Sequence, residues 1–264
     1  MLNAVFERFD LFLFILIRMM GFIFFNPLFG RRNIPGITKA GIALFFAVFT
    51  VTHFPGEHTP VDIGNITIFM FYLVKEFAVG YLLGTVVNLF FSIVSISGEV
   101  TDMQMGLAMS QMYDPGSNVN MPITGSFYNI TLMLMFFLTN SHGTLMHVLF
   151  LSFRVLPVDS IGFNPAIGLY IMQLFGNILI LCLQFALPVI AAELITETGV
   201  GIIMRAVPQI NVFVVGLQLK ILAGMGIMLI CAPISVWFIG GVLRQMNDSA
   251  WEAIFILAGG IGGG

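Results

Sequence analysis

The chain is 264 residues long, 58% hydrophobic and 9% charged, with a mean hydropathy of +1.01 and a formal net charge of -3. Soluble globular chains are about 25% charged, so a water-soluble fold of this size is close to excluded, and the solvent for much of this surface is lipid or other apolar subunits. The acidic balance excludes the basic field a nucleic-acid binder needs, and Cys182 and Cys231, both inside apolar runs, read as small core residues rather than a disulfide framework or metal site.

The first ten residues carry two acids and one base, and no small-residue cleavage site follows the apolar run. A removable secretory signal fits that poorly, so the first apolar segment is expected to stay in the protein. Six apolar segments follow in order: Leu11 to Phe29, Ile37 to Phe54, Ile66 to Ile96, Phe127 to Leu151, Ala166 to Ile195 and Val212 to Leu243, with lengths of 19, 18, 31, 25, 30 and 32 residues. A bilayer core of about 30 Å takes about 20 helical residues, so the first two segments just span it. The three longest must tilt, break or project, and Pro188 and Pro233 lie where a long helix can bend.

Polar residues interrupt the long segments at helical spacing. Thr85, Asn88, Ser92, Ser95 and Glu99 fall within roughly an 80° arc, and Gln173, Asn177, Gln184 and Pro188 make a similar stripe on the fifth segment. Such stripes either bond neighbouring helices together or line an aqueous path. Gly80 and Gly84 form a GxxxG pair that allows close approach of another backbone. Arg31, Arg32 and Lys39 would place the loop between the first two segments in the cytoplasm, but with alternating spans Arg205 joins that side while Arg8, Arg154 and Arg244 oppose it, four against three, too even to fix a topology. No 20- to 50-residue repeat is visible, and the tail from Gly259 to Gly264 is expected to be flexible.

Few residue groupings in the sequence could carry catalysis. His142 and His147 lie about 140° apart on a helix and cannot chelate one ion from one face. His53 and His58 flank a turn with Glu57, an incomplete ligand set that reads as a solvated loop. There is no Gly-x-x-x-x-Gly-Lys phosphate loop and no Gly-x-Ser-x-Gly elbow. The expectation is a non-enzyme with no metal and no cofactor. Charges inside apolar segments are Arg18, Lys75, Glu76, Glu193 and Lys220. Lys75 and Glu76 point about 100° apart, which favours partners on other helices. A hairpin turning at 200–211 would bring Glu193 and Glu197 together with Arg205 and Lys220, with Glu193, Arg205 and Lys220 as the ion-pair candidates; proton coupling through the carboxylate is the other reading.

Between the third and fourth segments, Met103, Met105, Met109, Met112 and Met121 put five of the chain's 17 methionines into the 21 positions from Thr101. Unbranched thioethers beside glycine make an adaptable apolar surface that can close a hole without fixed shape; an amphipathic surface helix has the same composition.

Particular residues carry a resemblance. Arg18-Met19-Met20-Gly21 leads to Pro27-Leu28-Phe29-Gly30 and Ile34-Pro35; Glu76 precedes Gly80 and Gly84; Gly98-Glu99 is followed by Asp102-Met103-Gln104-Met105-Gly106 and Asp114-Pro115. Pro208-Gln209-Ile210-Asn211-Val212-Phe213-Val214-Val215-Gly216 with Lys220 opens the last long segment. In these stretches, from Arg18 to Arg244, the chain resembles the FliR family, the R component of the flagellar type III export gate, with its injectisome counterpart in the same superfamily. Lys39 stands where arginine is expected and keeps the charge.

The resemblance implies an all-α, integral-membrane-type protein of helical hairpins, with residues 1–165 resembling a P-type subunit and 166–264 a Q-type hairpin. It implies a single R copy, tilted in a helical assembly with P and Q subunits in the bacterial inner membrane at the flagellar basal body. The loop 100–122 would be a plug, with Met103, Met105, Gly106, Met109, Met112, Tyr113 and Asp114 as its gate residues. Gly80, Gly84, Gln209, Asn211, Phe213 and Gly216 would pack against neighbouring subunits. The cargo would be unfolded flagellar subunits, driven by a separate ATPase and the proton gradient. A small-molecule secondary transporter is the competing class, supported by interrupted helices and polar stripes, although no matching pair of broken helices appears in two halves. A purely structural assembly nucleus is the third.

Overall fold

The computed structural model describes residues 9–31, 33–53, 66–107, 122–157, 164–206 and 212–259, with backbone alone at 212–214. Among these residues the chain forms seven helices and no strand. They are α1 (Phe9–Phe25), α2 (Gly36–His53), α3 (Ile66–Met105), α4 (Ile123–Leu138), α5 (Ser141–Val155), α6 (Ala166–Ala206) and α7 (Val212–Leu257). The all-α reading of the six apolar segments holds. Four helices are long and apolar enough to cross a membrane, or five spans if α4 and α5 count as one bent pair.

The fourth apolar segment is two helices, not one, meeting at 69°. Asn140 sits between them at φ 56°, the left-handed region that asparagine tolerates better than most residues with a side chain. Its carbonyl then accepts from Gly143 N at 3.0 Å and Thr144 N at 3.2 Å and starts α5 in the new direction. Apolar periodicity resumes on both sides of the break, which is why composition reads through it.

Helices α3, α6 and α7 run past the ends of their apolar segments, to 40, 41 and 46 residues. At 1.5 Å per residue they reach roughly 60, 62 and 69 Å, about twice a hydrocarbon core. Pro188 and Pro233 are accommodated inside α6 and α7.

The chain forms two compact units, neither continuous in sequence: Met1–Phe90 with Asn140–Leu174 and Arg244–Gly264, and Phe91–Thr139 with Phe175–Leu243. In the first unit α1 runs parallel to the first half of α3, with Phe14 against Phe69 and Tyr72, and Phe25 against Tyr81. Glycine makes this possible. A side chain at Gly21 would begin 2.5 Å from the Phe77 carbonyl, one at Gly80 would overlap the Arg18 carbonyl, and one at Gly84 would lie 2.9 Å from the Phe22 carbonyl. The close approach expected of Gly80 and Gly84 toward other subunits is therefore taken up by α1 of the same chain. Phe46 and Phe49 of α2 meet Phe150 of α5, and Tyr170 on α6 donates to the Ser249 carbonyl of α7.

In the second unit, the end of α3 and α4 form an antiparallel hairpin through Phe91 with Phe136, Gly98 with Gly125 and Asp102 with Thr124. A second antiparallel hairpin joins α6 to α7 through Phe185 with Phe238 and Glu197 with Lys220. The Ser97 hydroxyl donates to the Cys182 carbonyl and ties α3 to α6.

Candidate functional site

Buried polar groups concentrate at two places. In the first unit the Arg18 guanidinium is fully buried and fully engaged. Its Nε lies 2.5 Å from Glu76 Oε2, Nη1 donates to the Ser152 hydroxyl at 3.2 Å, Nη2 donates to the Leu156 carbonyl at 2.9 Å, and the Phe153 ring sits 4.2 Å below. Lys75 approaches the other oxygen of Glu76 at 3.8 Å and the Tyr72 ring at 5.4 Å. Glu76 thus finds its partner on another helix as expected, while Lys75 leans on its sequence neighbour after all. One arginine joins α1, α3 and α5, and these are structural contacts. Lys39 is similarly placed: its Nζ donates to the Gly30 carbonyl at 3.0 Å and closes the turn after α1.

The second place is where α3 ends. The N–H of Leu107 bonds to the Asp102 carbonyl at 2.9 Å and that of Gly106 to Met103 at 3.2 Å, with Gly106 at φ 77°. This is a Schellman stop, and glycine is there because the left-handed conformation is strained for other residues. The first positions of the 100–122 loop are thus the last turn of α3. Asp102, buried, accepts from the Thr124 hydroxyl and lies 3.3 Å from the Thr124 N–H through both oxygens. Pro122, at the N-cap of α4, supplies no side-chain cap, so a carboxylate from α3 caps α4 instead. Gly98 and Gly125 meet backbone to backbone one turn away. Asp102→Ala is expected to lower stability by about 0.5–2 kcal/mol, the usual loss of an N-cap, with Asp102→Asn nearer the parent; thermal unfolding in detergent measures it.

Of the proposed gate residues, Met103 is exposed, Met105 is fully buried, and Gly106 is the helix stop, with Leu217 of α7 against its Cα. Met109, Met112, Tyr113 and Asp114 lie outside the described residues, as do Gln209 and Asn211 and most of the glycine tail. Phe213 is in α7 by its backbone, and Gly216 is half-buried there. Glu193, Arg205 and Lys220 do not form one group. Lys220 Nζ pairs with Glu197 Oε1 at 3.2 Å; Arg205 is exposed and makes no ion pair among the described residues. The antiparallel register of α6 and α7 explains this: Glu197 lies opposite Lys220, whereas Glu193, one turn away, lies opposite Gly224. The pair is partly exposed and contributes at most about 1 kcal/mol.

The polar stripe of α3 faces outward. Asn88 and Glu99 are exposed and Thr85, Ser92 and Ser95 half-buried, while Val86, Val87, Phe90, Ile93 and Val94 between them are buried. Gln173, Asn177 and Gln184 on α6 are exposed as well. Among the described residues the α6 stripe is thus open, whereas the α3 stripe is partly covered at Thr85, Ser92 and Ser95. Among the described residues no three His, Cys, Asp or Glu side chains are placed to hold a metal ion.

These features define an all-helical, membrane-type protein whose ordered polar groups brace helices and whose polar stripes face outward. Residues 9–246 match the family described as bacterial export proteins, family 1, and the chain belongs to that family. It is 32% identical over 236 residues to the flagellar biosynthetic protein FliR of Bacillus subtilis, covering 88% of this chain and 90% of the relative. It is 27% identical over 226 residues to FliR of Escherichia coli, covering 85% of each. Its similarity extends to the Yop proteins translocation protein T of Yersinia pestis, at 27% over 208 residues, 77% of this chain and 78% of that protein.

Proposed function

We propose that the protein is a non-enzymatic core component of the flagellar type III export gate in the bacterial inner membrane, forming with P and Q subunits the channel for unfolded flagellar proteins. The observation that carries this is the mismatch between helix length and bilayer thickness. Helices α6 and α7 present exposed Leu169, Phe175, Leu187, Ile202, Leu222 and Trp237 along lengths about twice the hydrocarbon core, more apolar surface than an upright bilayer covers. Apolar helices of neighbouring subunits would cover the remainder, with the chain tilted and present once in the assembly. The FliR proteins of Bacillus subtilis and Escherichia coli match 88% and 85% of this chain against 77% for the translocation protein T, which favours a flagellar over an injectisome system.

In this reading residues 1–165 form the P-type part and 166–264 the Q-type hairpin, for which the antiparallel α6 and α7 are the support. The outward polar stripes of α3 and α6 face the aqueous path or its subunits. The methionine-rich loop plugs the channel, held at its base by the Asp102 clasp and the Gly106 stop.

Purification in mild detergent is expected to bring down the flagellar P and Q subunits with this chain. Deleting residues 108–112, which spares the buried Met105 and the Gly106 stop, is expected to leave that complex intact while cells leak ions or small solutes; a tight membrane with an intact complex would contradict the plug. Solute flux by the chain reconstituted alone would instead favour a secondary transporter.

A further inference from the structure

Among the described residues, Glu193 is a buried acid with neither carboxyl oxygen hydrogen-bonded. It lies on α6 with 1% of its surface exposed. Its Oε1 lies over Gly224 of α7, 2.8 Å from where a side chain would begin there, and the Met105 thioether from α3 fills the rest of the notch. Only a glycine leaves this notch, because a methyl group at position 224 would overlap the methionine sulfur. The charged groups facing the carboxyl are Lys220 from α7 and Glu197 from its own helix, and they are engaged with each other at 3.2 Å. From α3 the facing residue is Met105; Asp102, one turn back, is bound to Thr124.

A carboxylate here would be stripped of water with only the Gly224 backbone N–H turned toward it, outside hydrogen-bond geometry, and the Lys220 ammonium is engaged with Glu197. A carboxylic acid in the same place is uncharged and tolerates an apolar notch far better. We propose that Glu193 is a proton-binding site, occupied by a proton while Met105 is seated on Gly224. Withdrawal of Met105 admits water to the carboxyl and releases the proton, so proton binding and seating of Met105 favour one another by linkage. Every contact at this site lies within the chain, so the site does not depend on the export function proposed above.

Infrared difference spectroscopy of the full-length protein in detergent at neutral pH, parent minus Glu193→Gln, tests it. The expected result is loss of one carbonyl band of a neutral carboxylic acid, shifted in heavy water; loss of a carboxylate band instead overturns the proposal. Gly224→Ala, which displaces Met105, is expected to convert that acid band to a carboxylate band, and an unchanged acid band there removes the linkage. If Glu193→Gln fails to fold, dicyclohexylcarbodiimide, a reagent for neutral carboxyls in apolar surroundings, gives the same decision on the parent protein. A mass adduct at Glu193 that fades as pH rises supports the site; labelling that spares Glu193 overturns it.

Discussion

Replacing Glu76 with alanine is expected to destabilise the protein by about 3–5 kcal/mol, the range for breaking a buried ion pair by removing one partner. The Arg18 guanidinium would remain fully buried among Phe153, Ser152 and the Leu156 carbonyl without its counter-charge. The Lys75 ammonium 3.8 Å from Glu76 would lose the same neighbour, so two cations would face each other in an apolar unit. Arg18→Ala should be comparably severe, since it strands the carboxylate and cuts the link from α1 to α5. A double replacement, Arg18→Met with Glu76→Leu, should recover much of the loss, because no orphan charge remains in that pair. Thermal unfolding in detergent and the amount of chain retained in membranes measure both. Equal losses in single and double variants would show that the packing around the pair, rather than its charge balance, holds the unit.

Gly80→Val should approach the same severity by a steric route. A Cβ at position 80 would overlap the Arg18 carbonyl and lie 2.9 Å from the Phe22 N. Both are helix backbone and cannot rotate away, so α1 must separate from α3 and pull Arg18 off Glu76. Overpacking costs about 1–3 kcal/mol where side chains can yield; here the yielding element is a helix, and the upper end or more is expected. Gly176→Ala is the control. Nothing lies within 4 Å of a methyl group there, and the change should stabilise α6 by roughly 0.5–1 kcal/mol through helix propensity. A tolerated Gly80→Val, judged by the same melting curves, would mean that the α1 contact is not needed for the first unit.

Much of this was readable beforehand for a definite reason. Apolar runs at helical period report a helix and its apolar surroundings, and each of the six expected segments is mostly helical among the described residues, the first overrunning α1 at 26–29 and the fourth broken at Asn140. Glycine beside a long apolar run reports close backbone approach, so Gly80 and Gly84 were recognisable as contact positions. What they touch was not, because small-residue spacing carries no information about the partner. The stop at Gly106 follows a readable signal, a glycine after a helical run, yet the methionine density directs attention past it into the loop. The break at Asn140 was signalled by the polar run from Thr139 to Gly143, which six apolar segments counted by composition absorb.

Composition and period therefore determined the class of this protein, its helices and their excess length over a bilayer, since hydrophobicity and helical rise are properties of each stretch alone. Only the tertiary structure decided that Arg18 meets Glu76, that Asp102 caps α4, that Lys220 takes Glu197 and leaves Glu193 against Gly224, and that both polar stripes face outward. Those outcomes depend on which helices lie side by side, in what direction and register. A shift of one turn exchanges every partner along the face while leaving the sequence pattern of each helix unchanged.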